Sequence, residues 1–203
     1  MAARGLIHGR LPEKTLHLCV DMQRLFASGS PWQMPWAERI LPAVEELAAT
    51  YADRTIFTRF IPAASPGAGA GMWSQYYRRW ADMTLERIDR DLVDLMPRLQ
   101  GLVPPAVILD KHVYSPWTEG QLDRLLQTRQ TDALVISGGE TDVCVLATVL
   151  GAVDRGFRVV LVRDALCSSA DQTHDAVMTL YASRFSEQIE AVTLVEVLEG
   201  WRR

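Results

Sequence analysis

Lysine is scarce in this chain of 203 residues, in which Lys14 and Lys111 stand against nineteen arginines. An arginine stays charged under almost all conditions, whereas a lysine is compact, changes its pKa when buried and can pass a proton. A lysine is therefore a candidate for a specific chemical role here. The net charge of −4 at pH 7 leaves no excess of basic residues, so we expect no nucleic-acid or membrane partner.

Cysteines and long apolar runs are also few. Cys19, Cys144 and Cys167 are odd in number and have no CxxC spacing, so we expect no disulfide framework and a cytoplasmic location. The longest run of small and apolar residues, at 143–153, is shorter than the ~20 residues that cross a bilayer. We read no signal peptide at the N-terminus. The length and a hydrophobic share of 48% predict one soluble domain over 1–203.

Segments with strand and helix patterns alternate along the chain. Compact apolar runs predict strands at 15–20, 54–60, 106–110, 133–137, 157–162 and 192–195. Periodicity predicts helices at 35–51, 73–80, 91–99, 118–127, 142–155 and 171–184. The small residues of 62–71 predict a loop. This alternation indicates an α/β fold in which helices cover both faces of a parallel sheet.

Polar residues follow three of the predicted strands where each strand ends. Asp21 ends the first strand, Lys111 ends the third, and Cys144 comes shortly after the fourth. Ligands of such sheets bind beyond the carboxyl ends of the strands. We therefore expect these three side chains to meet at one edge of the sheet.

The three side chains suit nucleophilic catalysis. Cys144 lies in the first turn of a predicted helix, where the helix dipole and free N–H groups favour a thiolate. Asp21 can take the thiol proton and return it to a leaving amine, and the charge of Lys111 should lower the thiol pKa. The pair Gly138–Gly139 allows a sharp turn whose amides could bind an oxyanion.

Three ordered motifs carry a resemblance to a known family. They are DMQ with Phe26, DKHVYS around Lys111, and GGETDVCVLAT around Cys144. In this order and spacing they resemble the isochorismatase-like cysteine hydrolases, which include nicotinamidases, N-carbamoylsarcosine amidohydrolase and ureidoacrylate amidohydrolase. The resemblance covers about 15–197.

The resemblance implies a three-layer α/β/α, Rossmann-like fold with a six-stranded parallel sheet. It implies a catalytic triad of Asp21, Lys111 and Cys144 and a cis peptide bond between Gly139 and Glu140. The N–H groups of Glu140 and Cys144 would form the oxyanion hole. It also implies a small-molecule substrate and a homo-oligomer, either a dimer or a tetramer.

The chain departs from the metal-dependent members of that family. The stretch after the second predicted strand, TRFIPAASPGAGAGMW, contains no histidine or cysteine. The four histidines of the chain have no ligand spacing; they are His8, His17, His112 and His174. We therefore expect no metal and no other cofactor, and nicotinamidase activity is not favoured.

Several residues near the motifs are candidates for the substrate pocket. They are Gln23, Phe26, Arg59, Trp73, Tyr77, Tyr114 and Trp117. The segment with Trp73, Tyr76, Tyr77 and Trp80 fits either the pocket or a core or subunit interface. Arg59 fits a surface charge or a bidentate contact with a substrate carboxylate.

Three hypotheses of function follow. The leading one is a metal-independent cysteine hydrolase that cleaves a C–N bond of a small amide or ureido compound through a thioester. The alternatives are hydrolysis of a vinyl ether of the isochorismate type, with Asp21 as the acid, and a catalytically silent binding member of the family. The sequence does not name the substrate.

Overall fold

The computed structural model describes residues 5–27 and 29–202, and its centre is one parallel sheet. The strands are β1 (Thr15–Val20), β2 (Thr55–Phe60), β3 (Val107–Lys111), β4 (Ala133–Gly139), β5 (Arg158–Cys167) and β6 (Ile189–Val192). They lie in the order β3-β2-β1-β4-β5-β6. The predicted domain spans 1–203, of which residues 1–4, 28 and 203 lie outside the described residues.

Helices cover both faces of this sheet. They are α1 (Ala37–Thr50), α2 (Met72–Arg79), α3 (Pro97–Gln100), α4 (Gln121–Thr128), α5 (Cys144–Asp154), α6 (Asp171–Arg184) and α7 (Leu194–Gly200). Because side chains alternate along a strand, Leu18 of β1 packs in the core with α4, α5 and α6. Its neighbour Cys19 packs on the other face with α1 and α7. The predicted α/β fold with a six-stranded parallel sheet is confirmed.

A buried histidine links the three central strands. His17 of β1 lies 3.1 Å from the Thr55 hydroxyl through Nδ1 and 2.8 Å from the Ser137 hydroxyl through Nε2. Burial lowers the pKa of His17 to about 3, so the ring is neutral at physiological pH. His17 therefore has a structural role, in which its ring joins neighbouring strands by hydrogen bonds.

Two of the predicted elements are wrong. The helix predicted at 91–99 is a 3₁₀ turn, Arg90–Val93, followed by the short helix α3. Proline is disfavoured inside a helix but suits its first position, and Pro97 begins α3. The last strand, β6, lies before the predicted range of 192–195 and ends at Val192. Thr193 forms a capping box with which α7 begins.

Candidate active site

Close contact between the ends of β1 and β4 positions the site. Gly138 has a φ of +105°, and a Cβ at this position would collide with the backbone oxygen of Val20. Only glycine tolerates both conditions without strain. Asp21 and the loop before Cys144 are therefore neighbours at the carboxyl edge of the sheet.

Asp21, Lys111 and Cys144 are brought together in a buried group. The Lys111 Nζ atom lies 2.7 Å from Asp21 Oδ2 and 3.4 Å from Cys144 Sγ. It also donates to the carbonyl oxygen of Val113 at 3.2 Å. The side chains of Lys111 and Asp21 are 1% and 0% exposed, so each charge depends on the other for stabilisation.

Thr58 holds the Asp21 carboxylate and was not among the residues predicted from the sequence. Its hydroxyl donates to Asp21 Oδ1 at 2.5 Å and accepts from the Asp21 amide at 3.2 Å. Asp21 has a φ of +49°, which is uncommon for a residue other than glycine. No pattern in the sequence marked Thr58, because its place beside Asp21 follows from the register of the sheet, in which Cys19 lies opposite Phe57.

The surroundings of Cys144 hold it as a neutral thiol. Burial and the negative charge of Asp21 raise the pKa of Cys144 well above its ordinary value, although the charge of Lys111 lowers it. Burial alone would lower the pKa of Lys111, but the negative charge of Asp21 and hydrogen bonds to Asp21 and Cys144 outweigh it and raise that pKa. The charge of Lys111 thus lowers the thiol pKa as expected from the sequence, but burial is the larger effect, so the expectation that the site favours a thiolate is wrong.

The turn before Cys144 presents backbone N–H groups. The peptide bond Gly139–Glu140 is cis, at the position that the resemblance implied. Val143 and Val145 both donate their N–H groups to the carbonyl oxygen of Glu140. Cys144 is the first residue of α5, and the first N–H groups of a helix have no acceptor within it.

A cavity of about 360 Å³ opens onto Cys144. Six aromatic side chains form most of its wall; they are Phe26, Trp32, Phe60, Tyr76, Trp80 and Tyr114. The remaining lining residues are Pro31, Glu140, Val143, Cys144 and Ser169. Of the predicted pocket residues, Phe26 and Tyr114 therefore line the cavity. Trp32, Glu140 and Ser169 had not been predicted as pocket side chains.

Gln23 and Arg59 lie outside the lining of this cavity. The Gln23 side chain donates to the Phe60 carbonyl at 3.1 Å and accepts from the Phe60 amide at 2.7 Å. Arg59 forms ion pairs with Asp110 at 2.8 Å and with Asp94 at 2.9 Å. Both side chains thus hold the framework around the site.

The predicted aromatic candidates divide between the cavity and the core. Tyr76 and Trp80 line the cavity, whereas Trp73 and Tyr77 pack behind it, with ring centroids 6.1 Å apart. Trp117 lies in the core on the α5 side of the sheet, where its Nε1 donates to the Thr148 carbonyl oxygen at 2.9 Å. The difference follows from the direction of each side chain, which spacing alone did not fix.

Two histidines lie near the site without entering the cavity. His112 pairs with Glu119 at 2.9 Å at the surface. His174 of α6 lies 2.8 Å from the hydroxyl of Thr141, next to the cis peptide. Across residues 5–27 and 29–202, no group of three or more histidine, cysteine, aspartate or glutamate side chains is arranged to hold a metal ion. None of the helices in those ranges is long and apolar enough to span a membrane.

Comparisons with known proteins agree with this fold. The isochorismatase domain model matches residues 15–192. The chain is 30% identical over 86 residues to an uncharacterized isochorismatase family protein, PncA, of Bacillus subtilis strain 168, covering 42% of this chain and 47% of that protein. It is 26% identical over 92 residues to maleamate amidohydrolase of Pseudomonas putida KT2440, covering 44% of this chain and 43% of that protein.

These matched regions span just under half of the two curated relatives. A solved structure is similar over a much longer range. The crystal structure of a cysteine hydrolase from Pseudomonas syringae pv. phaseolicola 1448A has a TM-score of 0.78 and 26% identity, with 98% of this chain and 97% of that chain covered. The chain therefore belongs to the isochorismatase family of hydrolases.

Proposed function

We propose that the protein is a cysteine hydrolase that cleaves a C–N bond of a small amide or ureido compound through a thioester. One observation carries the proposal: Lys111 contacts both Asp21 and Cys144, and Cys144 lines a cavity that could hold a substrate. The description of the P. syringae protein as a cysteine hydrolase, and that of the P. putida protein as an amidohydrolase, support it.

The first chemical step is attack by Cys144. The thiol is protonated at rest, so attack needs a base, and Asp21 Oδ2 has no hydrogen-bond partner besides its ion pair with Lys111 in the described part of the chain. As the S–C bond forms, the thiol proton passes to Asp21 and the carbonyl electrons move onto oxygen. The N–H groups of Glu140 and Cys144 stabilise this oxyanion.

Collapse of the tetrahedral intermediate breaks the C–N bond, and Asp21 gives its proton to the departing nitrogen. Water then attacks the thioester while Asp21 takes a proton from it. The C–S bond breaks, the proton returns to the sulfur, and a carboxylic or carbamic acid leaves. Lys111 stays charged throughout and keeps the carboxylate and the sulfur in register.

A covalent adduct on Cys144 tests this mechanism. Carboxamides, carbamoyl amino acids and ureido acids are screened for released ammonia, and intact-protein mass spectrometry then follows the protein during turnover of an active compound. We expect an acyl adduct whose peptide contains Cys144, and we expect its loss, together with turnover, in Cys144→Ala. The control Cys19→Ala removes a thiol that lies buried inside β1 and should retain both.

The same experiment separates the alternatives. A vinyl ether of the isochorismate type is tested beside the amides; its hydrolysis needs the acid Asp21 but no acyl adduct, so turnover of that compound without an adduct favours this alternative. A silent binding member would give neither turnover nor adduct with any compound. Hydrolysis of an amide by Cys144→Ala at the rate of the unchanged protein would disprove the thioester mechanism.

A further inference from the structure

The aromatic wall of the cavity has the form of a cage around Trp32. The Trp32 ring centroid lies 6.4 Å from that of Phe26, 6.0 Å from those of Phe60 and Tyr76, and 5.9 Å from that of Trp80. Tyr114 extends the wall from Phe60, with ring centroids 6.4 Å apart. Aromatic faces carry negative electrostatic potential and attract cations.

The formal charge of the wall is negative. Of the described residues that line the cavity, the one with a charged side chain is Glu140. Lys111 does not line the cavity, and its charge is balanced by Asp21 at 2.7 Å. Arg59, the sequence-based candidate for binding a carboxylate, has its guanidinium bound by Asp94 and Asp110. The described cavity thus offers no free cation to an anionic substrate.

Two cations of the chain already lie against rings of this cage. The Lys111 Nζ atom is 5.1 Å from the centroid of Phe60, and the Arg79 guanidinium is 5.6 Å from that of Trp80. Both distances are within the ~6 Å over which cation–π attraction is significant. Ring faces of the cage are therefore suited to positive charge.

We propose that the substrate is a small amide with a cationic group, such as an alkylated ammonium, which the aromatic cage holds opposite the Glu140 carboxylate while the amide carbonyl lies at Cys144. This inference rests on the proposed amide hydrolysis for the position of the carbonyl. The recognition of the cation is argued from the side chains that line the cavity, and binding measurements test it without turnover.

The state of Glu140 supports this assignment. Burial raises the pKa of Glu140 above its ordinary value, although hydrogen bonds from Ser169 lower it. A partly buried carboxylate without a full counter-charge is costly, and a bound ammonium would supply that charge. Since Glu140 also gives its backbone N–H to the proposed oxyanion hole, Glu140→Gln removes the charge and leaves that N–H in place.

Three amides of similar size test the proposal. Trimethylammonioacetamide is cationic, 3,3-dimethylbutanamide replaces the nitrogen by carbon and is neutral, and succinamate is anionic. Calorimetric titration of Cys144→Ala protein measures their binding without turnover. We expect the cation to bind at least roughly tenfold more tightly than the neutral amide, as a desolvated cation–π contact and an opposite charge imply, and succinamate to bind most weakly.

The variant Cys144→Ala/Glu140→Gln should lose most of the advantage of the cationic amide over the neutral one. Cys144→Ala/Glu119→Gln is the matched control, because Glu119 pairs with His112 away from the cavity, and it should keep the advantage. If Glu140→Gln does not fold, the comparison of the three amides on Cys144→Ala still decides. Equal binding of the cationic and neutral amides, or tightest binding of succinamate, would overturn the proposal.

Turnover by the unchanged protein distinguishes the two proposals. If the cation binds preferentially but no amide is hydrolysed, recognition of the cation stands and the proposed hydrolysis fails. If neutral or anionic amides are hydrolysed well and the cation is neither bound nor cleaved preferentially, the hydrolysis stands and the cationic substrate is wrong.

Discussion

Lys111 occupies a site in which size matters as much as charge. Its ammonium contacts Asp21, Cys144 and the Val113 carbonyl at once and is almost completely buried. Asp21 would be left as an uncompensated buried charge without it, an arrangement that typically costs about 3–5 kcal/mol. Lysine is scarce in this chain, and Lys111 stands at a position that an arginine could not fill in the same way.

Lys111→Arg should inactivate the enzyme although it keeps the charge. The planar guanidinium is broader than an ammonium and would displace Asp21 or Cys144, and a shift of about 1 Å in a catalytic group can cost roughly 100-fold in rate. We expect at least that loss in kcat/KM, with a native circular dichroism spectrum. Lys14→Arg is the matched control, because Lys14 bonds Gln130 at the surface; near-normal activity of Lys111→Arg would refute the argument.

Thr58→Val should lower kcat more than it raises KM. The valine keeps the shape of threonine but removes the hydroxyl that donates to Asp21 and accepts from the Asp21 amide. Loss of such a partner should also lower the free energy of unfolding by about 1–3 kcal/mol. Steady-state kinetics and urea unfolding measure the two effects, and Thr58→Ser should restore both. A change in stability with unchanged kcat would limit Thr58 to a structural role.

At the scale of elements, the sequence predicted the parallel sheet and the meeting of Asp21, Lys111 and Cys144. Strand ends in a parallel sheet share one edge, so position along the chain was informative. The positions of Trp32 and Trp117 were not predictable in this way. Trp32 lies in an irregular segment that reaches the cavity through tertiary contacts. Trp117 follows β3 in a loop and packs on the opposite face of the sheet from Trp32.

Helix boundaries show a similar limit. The segment 91–99 has helical composition, but Pro97 marks the start of a new helix. Thr193 has a strand-forming side chain, but together with Glu196 it caps α7. In both cases a local hydrogen-bond pattern decided between structures that the apolar periodicity left equally acceptable.

The central strands should lose stability in acid because of His17. The pKa of His17 in the folded protein, about 3, lies below the ordinary histidine value of 6.5, so the unfolded chain binds the extra proton first. Stability is therefore full above about pH 6.5 and falls as the pH drops towards 3, by up to about 1.4 kcal/mol per pH unit from this residue.

Urea unfolding at several pH values measures this slope. His17→Gln removes the titrating ring, so its free energy of unfolding should fall less steeply over the same interval than that of the unchanged protein. His112→Gln is the control, because His112 lies at the surface, and it should keep the steep slope. Equal slopes for His17→Gln and the unchanged protein would contradict a neutral buried His17.

At the scale of the whole molecule, the C-terminal segment closes the α1 face of the sheet. The rings of Trp201 and Tyr51 are stacked, with centroids 3.8 Å apart, and the Tyr51 hydroxyl donates to the Trp201 carbonyl at 2.5 Å. Trp201 is 2% exposed, although it lies near the end of the chain. Trp201 is thus part of the core that supports the sheet.

Trp201→Ala should destabilise the entire fold by about 3–5 kcal/mol, as large-to-small changes of buried aromatic residues do. Thermal unfolding followed by circular dichroism measures the loss. Val195→Ala, in the preceding helix α7, is the control, because Val195 is 60% exposed, and it should change stability by less than about 0.5 kcal/mol. A small effect of Trp201→Ala would mean that the segment is only attached to the surface.

The three reactive side chains come from the ends of β1 and β3 and from the start of α5, so no short stretch of chain contains the chemistry. During synthesis the carboxylate and the ammonium emerge well before the sulfur. The nucleophile can be positioned only after β4 has inserted next to β1 in the middle of the sheet. A ribosome-bound chain that stops before residue 144 lacks the nucleophile and should therefore be inactive, and catalysis should begin only after β4 has joined β1 in the sheet.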